Sequence, residues 1–179
     1  MSFNLWLTGF SGSGKSTLAK RVSDHLASIE VAHEIIDPDD IRRRLFPNLG
    51  FSDEERVIFR RSLLFLATLL NPHQVSCILP LLSSRRKLRR DARAELPNFL
   101  EVYVKCPIEV CQERDPKGLY MRAQTLETPH IVGLDMPYEE PENPELVVET
   151  DRQDIDSCTN EIISLIRQRG YLGEYEANG

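Results

Sequence analysis

The sequence predicts an α/β fold, with a mostly parallel five-stranded sheet flanked by helices. Three observations carry this. Short apolar segments alternate with helix-period segments along the chain, as in proteins whose strands are joined by crossover helices. Most of the apolar segments lack polar alternation, as expected of strands covered on both faces. A glycine-rich turn joins the first strand-like run to the first helix-like one.

In order, "FNLWLT" (residues 3–8), "AHEIID" (32–37), "VSCIL" (75–79), "FLEVYV" (99–104) and "ELVVET" (145–150) read as strands, rich in Val, Ile, Leu and aromatic residues. Helices are expected over residues 15–28, 53–70, 85–95, 107–114 and 154–169. The second of these has a well-formed start: Ser52 is followed by Glu55 at the capping-box spacing. Residues 115–144 fit neither class. They hold five prolines and two glycines and read as a lid, helical near 119–125, because long loops in compact domains are commonly lids or linkers. The tail from 170 to 179 reads as flexible. With 179 residues, 41% of them hydrophobic, the chain is expected to form one domain, residues 1–179.

The bulk numbers exclude some classes of function. No apolar run reaches the length of a membrane span, and the first residues do not read as a signal peptide. Net charge is −6, which argues against nonspecific nucleic-acid binding. The charge is uneven: residues 127–179 carry thirteen acidic and three basic side chains, so an anion site belongs in the first two thirds. The four cysteines, Cys77, Cys106, Cys111 and Cys158, show neither metal-ligand spacing nor a disulfide framework, and a cytoplasmic protein is expected. The four histidines share no motif.

"GFSGSGKS" (residues 9–16) matches G-x-x-x-x-G-K-[ST] at each fixed position, between a strand and a helix. This is a P-loop, and the fold is expected to be that of a P-loop NTPase or kinase. Glycines Gly9, Gly12 and Gly14 let backbone N–H groups turn onto phosphate oxygens. Lys15 can reach the β- and γ-phosphates, and the Ser16 hydroxyl can serve Mg²⁺. Larger motor and switch domains add an aspartate at the end of a second buried strand, whereas "VSCIL" runs into Pro80. The magnesium partner then comes from elsewhere, and a small chain with a lid suggests phosphoryl transfer to a small molecule.

"DPDDIRRR" (residues 37–44) follows the second strand, at the sheet edge where α/β folds bind ligands. Asp37 and Asp39 can orient Mg²⁺ through water or accept a hydroxyl proton, and Arg42 can hold an anionic acceptor. The plain alternative is a helix N-terminus whose acids complement its dipole. Arg56 and Arg60, four apart, either clamp an anion or pair with Asp53 and Glu55. "SSRRKLRRDAR" (residues 83–93) packs six basic residues into its last nine and reads mainly as a solvated helix face. Arg114 and Lys117 are either lid cations that close over a triphosphate or the surface charges of an ordinary turn.

Together these residues resemble the adenylylsulfate kinase (APS kinase) family, which transfers the γ-phosphate of ATP to the 3′-hydroxyl of adenosine 5′-phosphosulfate (APS), giving PAPS in sulfate assimilation. The resemblance runs over nearly the whole chain, in "WLTGFSGSGKSTLA", "LGFSDEER", "EVYVKCPIEVCQERDPKGLY" and "PYEEPENPELVVETD". It implies a P-loop kinase with a lid, Mg²⁺-ATP, small-molecule nucleotide substrates and a homodimer. By position it implies that the P-loop glycines hold ATP together with Phe10, Ser11, Ser13, Lys15, Ser16 and Thr17, and that Arg114 and Lys117 form the nucleotide side of the lid. Asp39 falls beside magnesium and acceptor, with Lys15 and Ser83 as further catalytic positions. Ser83 matches a serine that some members phosphorylate. Asp37, Arg42, Arg56, Phe59, Leu82 and Ile131 fall on the acceptor side.

The departures from family text lie on that acceptor side. The family's D-G-D-N reads "DPDD", and its S-F-I-S-P reads "PLLSS", with Leu82 before Ser83. Phe59 stands where an asparagine is expected. In the lid motif K-x-F-T-G-I-D, the lysine is Pro129, the phenylalanine that stacks on the APS adenine is Ile131 and the threonine is Val132. Two further readings therefore stay open: a related kinase with another anionic acceptor, and a nucleotide-binding regulator without catalysis.

Overall fold

A computed structural model describes residues 1–125 and 131–172. Five strands, β1 (Asn4–Thr8), β2 (His33–Ile35), β3 (Ser76–Pro80), β4 (Phe99–Lys105) and β5 (Leu146–Glu149), form one parallel sheet in the order β2-β3-β1-β4-β5. The helices are α1 (Lys15–Ser28), α2 (Pro38–Leu45), α3 (Asp53–Leu70), α4 (Arg86–Glu95), α5 (Ile108–Arg114), α6 (Leu119–Thr125) and α7 (Ile155–Gln168). The α/β expectation, with its five parallel strands and P-loop kinase fold, is therefore met.

The pleat of β1 builds both halves of the core. Leu5 and Leu7 face a cluster with Leu18, Val22, Ile162 and Ile166 of α1 and α7, while Trp6 faces the other side, against Leu63 and Ala67 of α3 and Ala92 of α4. Each β1 residue is buried, which is why that run shows no polar alternation. The edge strands differ. β2 spans three residues of the expected 32–37, with none fully buried, and β5 buries only Val148. An edge strand is paired on one side and less covered.

Three expectations are corrected. The segment 38–45, read as the start of a helix at most, is the complete helix α2: Asp37 caps it by accepting from the Asp39 and Asp40 amides, and Pro38 occupies its first turn. Arg89 within the basic run is 2% exposed, so that run is not simply a solvated face. The tail is docked as far as residue 172, because Tyr171 stacks on Phe3 and Leu172 is buried. Pro129 of the lid motif and residues 173–179 lie outside the described residues. Among the described residues, no helix is long and apolar enough to cross a membrane.

Candidate active site

The P-loop leaves the carboxyl end of β1 and turns into α1. Its glycines answer to crowding as well as to conformation. A Cβ on Gly9 would stand 2.3 Å from the carbonyl oxygen of Val104 on β4, and one on Gly12 2.7 Å from that of Cys111 on α5. Among the described residues no side chain caps α1, and an uncapped helix N-terminus suits an anion. Ser11, Gly12, Gly14, Lys15, Ser16 and Thr17 line that cleft, which encloses about 1010 Å³. Gly9, Phe10 and Ser13 lie behind it. The Phe10 ring packs against Tyr138 at 4.9 Å, and Ser13 is fully buried.

Lys15 is the unusual member. It is 8% exposed, and its ammonium donates to the Phe10 carbonyl and, at 3.5 Å, to Ser13 Oγ. Among the described residues no carboxylate forms an ion pair with it. Burial brings its pKa down to about 7.

Segments that follow β2 and β3 deliver residues to the same cleft. After β2, three aspartates take three roles. Asp37 caps α2. Asp40 is held by Arg43 and Arg44 of its own helix, and the Arg43 hydrogen bond, ahead of that from Arg44, keeps its carboxyl below the usual range. Asp39 alone reaches across, pairing with Lys117 at the lid entrance. Arg42 and Arg56 line the cleft as well. Arg56 Nε donates to the Phe51 carbonyl at 2.8 Å. Glu55 completes the capping box and also accepts from the Gly50 amide at 2.7 Å, which holds its carboxyl below the usual range, the Ser52 amide contributing most. It is therefore engaged by backbone and forms no ion pair with Arg56.

After β3, Leu82 and Ser83 line the wall. Ser83 adopts φ 42°, a left-handed backbone rare for a non-glycine residue. Its carbonyl accepts from Arg89 Nη1 at 2.5 Å, and Nη2 of the same guanidinium donates to the Glu139 carbonyl at 2.5 Å. Arg89 Nε lies 2.8 Å from Glu101 of β4. One buried side chain thus joins the serine turn, the sheet and the segment returning from the lid. Thr8 and Tyr138 make a second junction. Thr8 Oγ1 donates to the Leu82 carbonyl at 2.8 Å, so the Tyr138 hydroxyl, 2.8 Å away, donates to Thr8.

The segment around Arg114 and α6 is tied down as well. Arg114 donates to Thr150 Oγ1 at 3.3 Å and to its carbonyl at 2.8 Å, and Thr150 Oγ1 donates to the Ser13 carbonyl at 2.8 Å. Tyr120 of α6 donates to the Ser11 carbonyl at 3.0 Å. Ile131 and Val132 line the cleft where the chain is next described.

Asp37, Asp39, Arg42, Arg56, Phe59, Leu82 and Ser83 therefore meet the P-loop in one cleft, whereas Arg60 is not among its lining residues. Sequence reasoning missed four contributors: Phe51, an exposed ring on the cleft wall, and Arg89, Tyr138 and Thr150. Of these, only Phe51 carried a signal, as an apolar residue just outside a helix cap.

A cation could be held by the Ser16 hydroxyl and the Asp39 carboxylate, hard oxygen donors of the kind Mg²⁺ prefers. Among the described residues no three His, Cys, Asp or Glu are grouped to hold a metal. The donor set therefore fits a magnesium ion that takes its remaining oxygens from phosphate and water.

The family model for adenylylsulphate kinase matches residues 1–149. A probable adenylyl-sulfate kinase of Archaeoglobus fulgidus is 47% identical over 154 residues, 86% of this chain and 99% of its own. The adenylyl-sulfate kinase of Gloeothece citriformis is 39% identical over 168 residues, 94% of this chain and 96% of its own. The structure of Mycobacterium tuberculosis APS kinase CysC in complex with AMPPNP and APS superposes with a TM-score of 0.86 at 36% identity, covering 93% of this chain and 98% of that one.

Proposed function

From the premise that this chain belongs to the adenylylsulphate kinase family, we propose that it transfers the γ-phosphoryl group of ATP to the 3′-hydroxyl of APS, yielding ADP and PAPS. One observation carries the reading: the P-loop and the group Asp39, Arg42 and Arg56 line a single cleft at the carboxyl ends of the strands. A donor site and an anion-binding acceptor site so placed can bring a hydroxyl in line with a terminal phosphate.

The loop amides and the α1 N-terminus hold the phosphates, and Lys15 shifts from the Phe10 carbonyl to their oxygens. A magnesium ion held by Ser16 and Asp39 would supply neutralising charge to the bound phosphates. Asp39 turns from Lys117 to the acceptor hydroxyl, which frees Lys117 to meet the triphosphate. Such transfer needs little covalent help from the protein; positioning and charge stabilisation do most of the work. Arg56 and Arg42 hold the acceptor's anion, and Phe51 offers an exposed ring to its base. Residues 115–144 act as the lid, hinged from Arg114 and strapped at Tyr138 and Glu139.

A homodimer is supported by one face of α3, where Ile58, Phe65 and Leu69 stand 51%, 63% and 52% exposed beside Leu45 at 58%. Four buried free cysteines suit a reducing compartment, the cytoplasm. Ile131 and Val132, where the family text has Phe and Thr, favour a second reading in which another nucleotide-linked anion is the acceptor.

The test is a coupled assay of ADP release with Mg²⁺-ATP, with and without APS, and chromatographic detection of PAPS. APS-dependent ADP with matching PAPS is expected. ATP turnover that responds to another nucleotide-linked anion but not to APS would replace this reading with the second.

A further inference from the structure

The acceptor side of the cleft carries an arrangement that the reaction itself does not require. The guanidinium of Arg42 packs against two aromatic rings, its Cζ 4.4 Å from the centroid of Phe51 and 4.4 Å from that of Phe59. Phe46 supports Phe59 edge-on, at 5.7 Å and 88°. In the same group, Nη1 donates to the Leu49 carbonyl at 2.8 Å and to the Gly50 carbonyl at 2.9 Å. Two ring contacts of this kind restrain a planar guanidinium from reorienting. Two carbonyls on one nitrogen set its rotation in the plane.

The remaining edge, Nε and Nη2, has no hydrogen-bond partner among the described residues, and Arg42 lines the cleft. A guanidinium held in this way presents a two-pronged donor edge of fixed direction, the geometry that matches a phosphate or sulfate oxygen pair. Most surface arginines hold such a shape only after ordering several torsions on binding, which weakens the complex. Here the ordering is done within the free protein, and Phe59 does half of it. A short amide side chain at position 59 would put no ring over Arg42.

We propose that Phe59 is a specificity-determining positioning residue which, with Phe51, pre-sets Arg42 as a rigid fork for the anionic phosphosulfate of the acceptor. The proposal rests on the function given above and deepens it by naming what that wall recognises. Nucleotide binding at the P-loop is outside its reach, so its effect falls on the acceptor alone.

The experiment compares the full-length wild type with Phe59→Leu, which keeps apolar bulk without a π face, and Phe59→Tyr, which keeps the ring. The KM for APS, the KM for ATP and kcat at saturating substrates are measured, alongside the thermal midpoint. In parallel, the Arg42 Nε–H resonance, assigned through Arg42→Lys, reports the ring currents of the two rings against the guanidinium. Phe59→Leu is expected to raise the KM for APS about tenfold, close to 1.4 kcal/mol of acceptor binding. The KM for ATP and kcat stay within about twofold, the Arg42 resonance loses its upfield shift, and Phe59→Tyr restores all of these values.

Wild-type turnover of APS with the same KM in Phe59→Leu would overturn the proposal and leave the function intact. Absence of APS-dependent turnover in the wild type would instead overturn the function. In that case the positioning role is judged by the resonance: an upfield shift that Phe59→Leu abolishes supports it, and an unshifted Arg42 signal in the wild type overturns it.

Discussion

Burial of Lys15 should make ATP binding a proton-uptake reaction. In the free protein the ammonium has, among the described residues, the Phe10 carbonyl and the Ser13 hydroxyl as hydrogen-bond partners, and burial lowers its pKa from 10.5 to about 7. Half of the molecules therefore carry the charge at pH 7, and about a tenth at pH 8. A triphosphate around Nζ favours the ammonium, so binding should take up about half a proton at pH 7 and about nine tenths at pH 8. Affinity should then be flat below pH 7 and fall towards a limit of about tenfold per pH unit above it. Calorimetry with a non-hydrolysable ATP analogue, in buffers of different ionisation enthalpy, reads the proton number directly.

The same shift affects folding. The folded pKa lies below the unfolded one, so between about pH 7 and 10.5 the unfolded chain binds more protons and stability rises with pH. The cost of the buried charge is fully present below about pH 7 and is relieved as pH climbs towards 10.5. At 1.36 kcal/mol per pKa unit the cost approaches about 4 kcal/mol at neutral pH. Lys15→Met keeps the stem and removes the charge. It should raise the thermal midpoint at pH 7 by up to about 10 °C while severely weakening ATP binding. Zero proton uptake at pH 8, together with a Lys15→Met midpoint at or below that of the wild type, would refute the reasoning.

Two other substitutions probe the acceptor wall and its support. Arg89→Met leaves Glu101 buried with Arg93 as its remaining ion-pair partner and should cost about 3–5 kcal/mol in denaturant unfolding; a loss below about 1 kcal/mol would mean that the junction of serine turn, sheet and lid return carries little of the fold's stability. Ile131→Phe adds a ring to the cleft wall and should tighten APS binding about tenfold by calorimetry, whereas unchanged affinity would mean that position 131 does not face the acceptor's base.

The elements legible in advance share a physical character. The P-loop, the Ser52–Glu55 capping box and the buried central strands are specified by residues within a few positions of one another, through dihedral preference, crowding and apolar pattern. The short helix α2 was less legible. Three arginines and two aspartates in eight residues offer no apolar period to read, and only its cap and Pro38 mark it. The early expectation that Arg42 serves the acceptor keeps its place in the cleft, yet the two rings that pack against it were invisible as partners.

What the linear chain determined by itself was the phosphate-binding turn, the order of strands and helices, and the kind of chemistry such a turn serves. The three-dimensional packing alone decided which charges are spent internally and which face the cleft. Arg89 looks like any of its basic neighbours along α4, but it meets the carboxylate of β4 and a carbonyl 50 residues onward. Lys117 likewise finds Asp39 across 78 residues. The physical reason is range: torsional and hydrophobic preferences act over a few residues and are written locally, whereas an ion pair depends on which distant segments come to lie side by side.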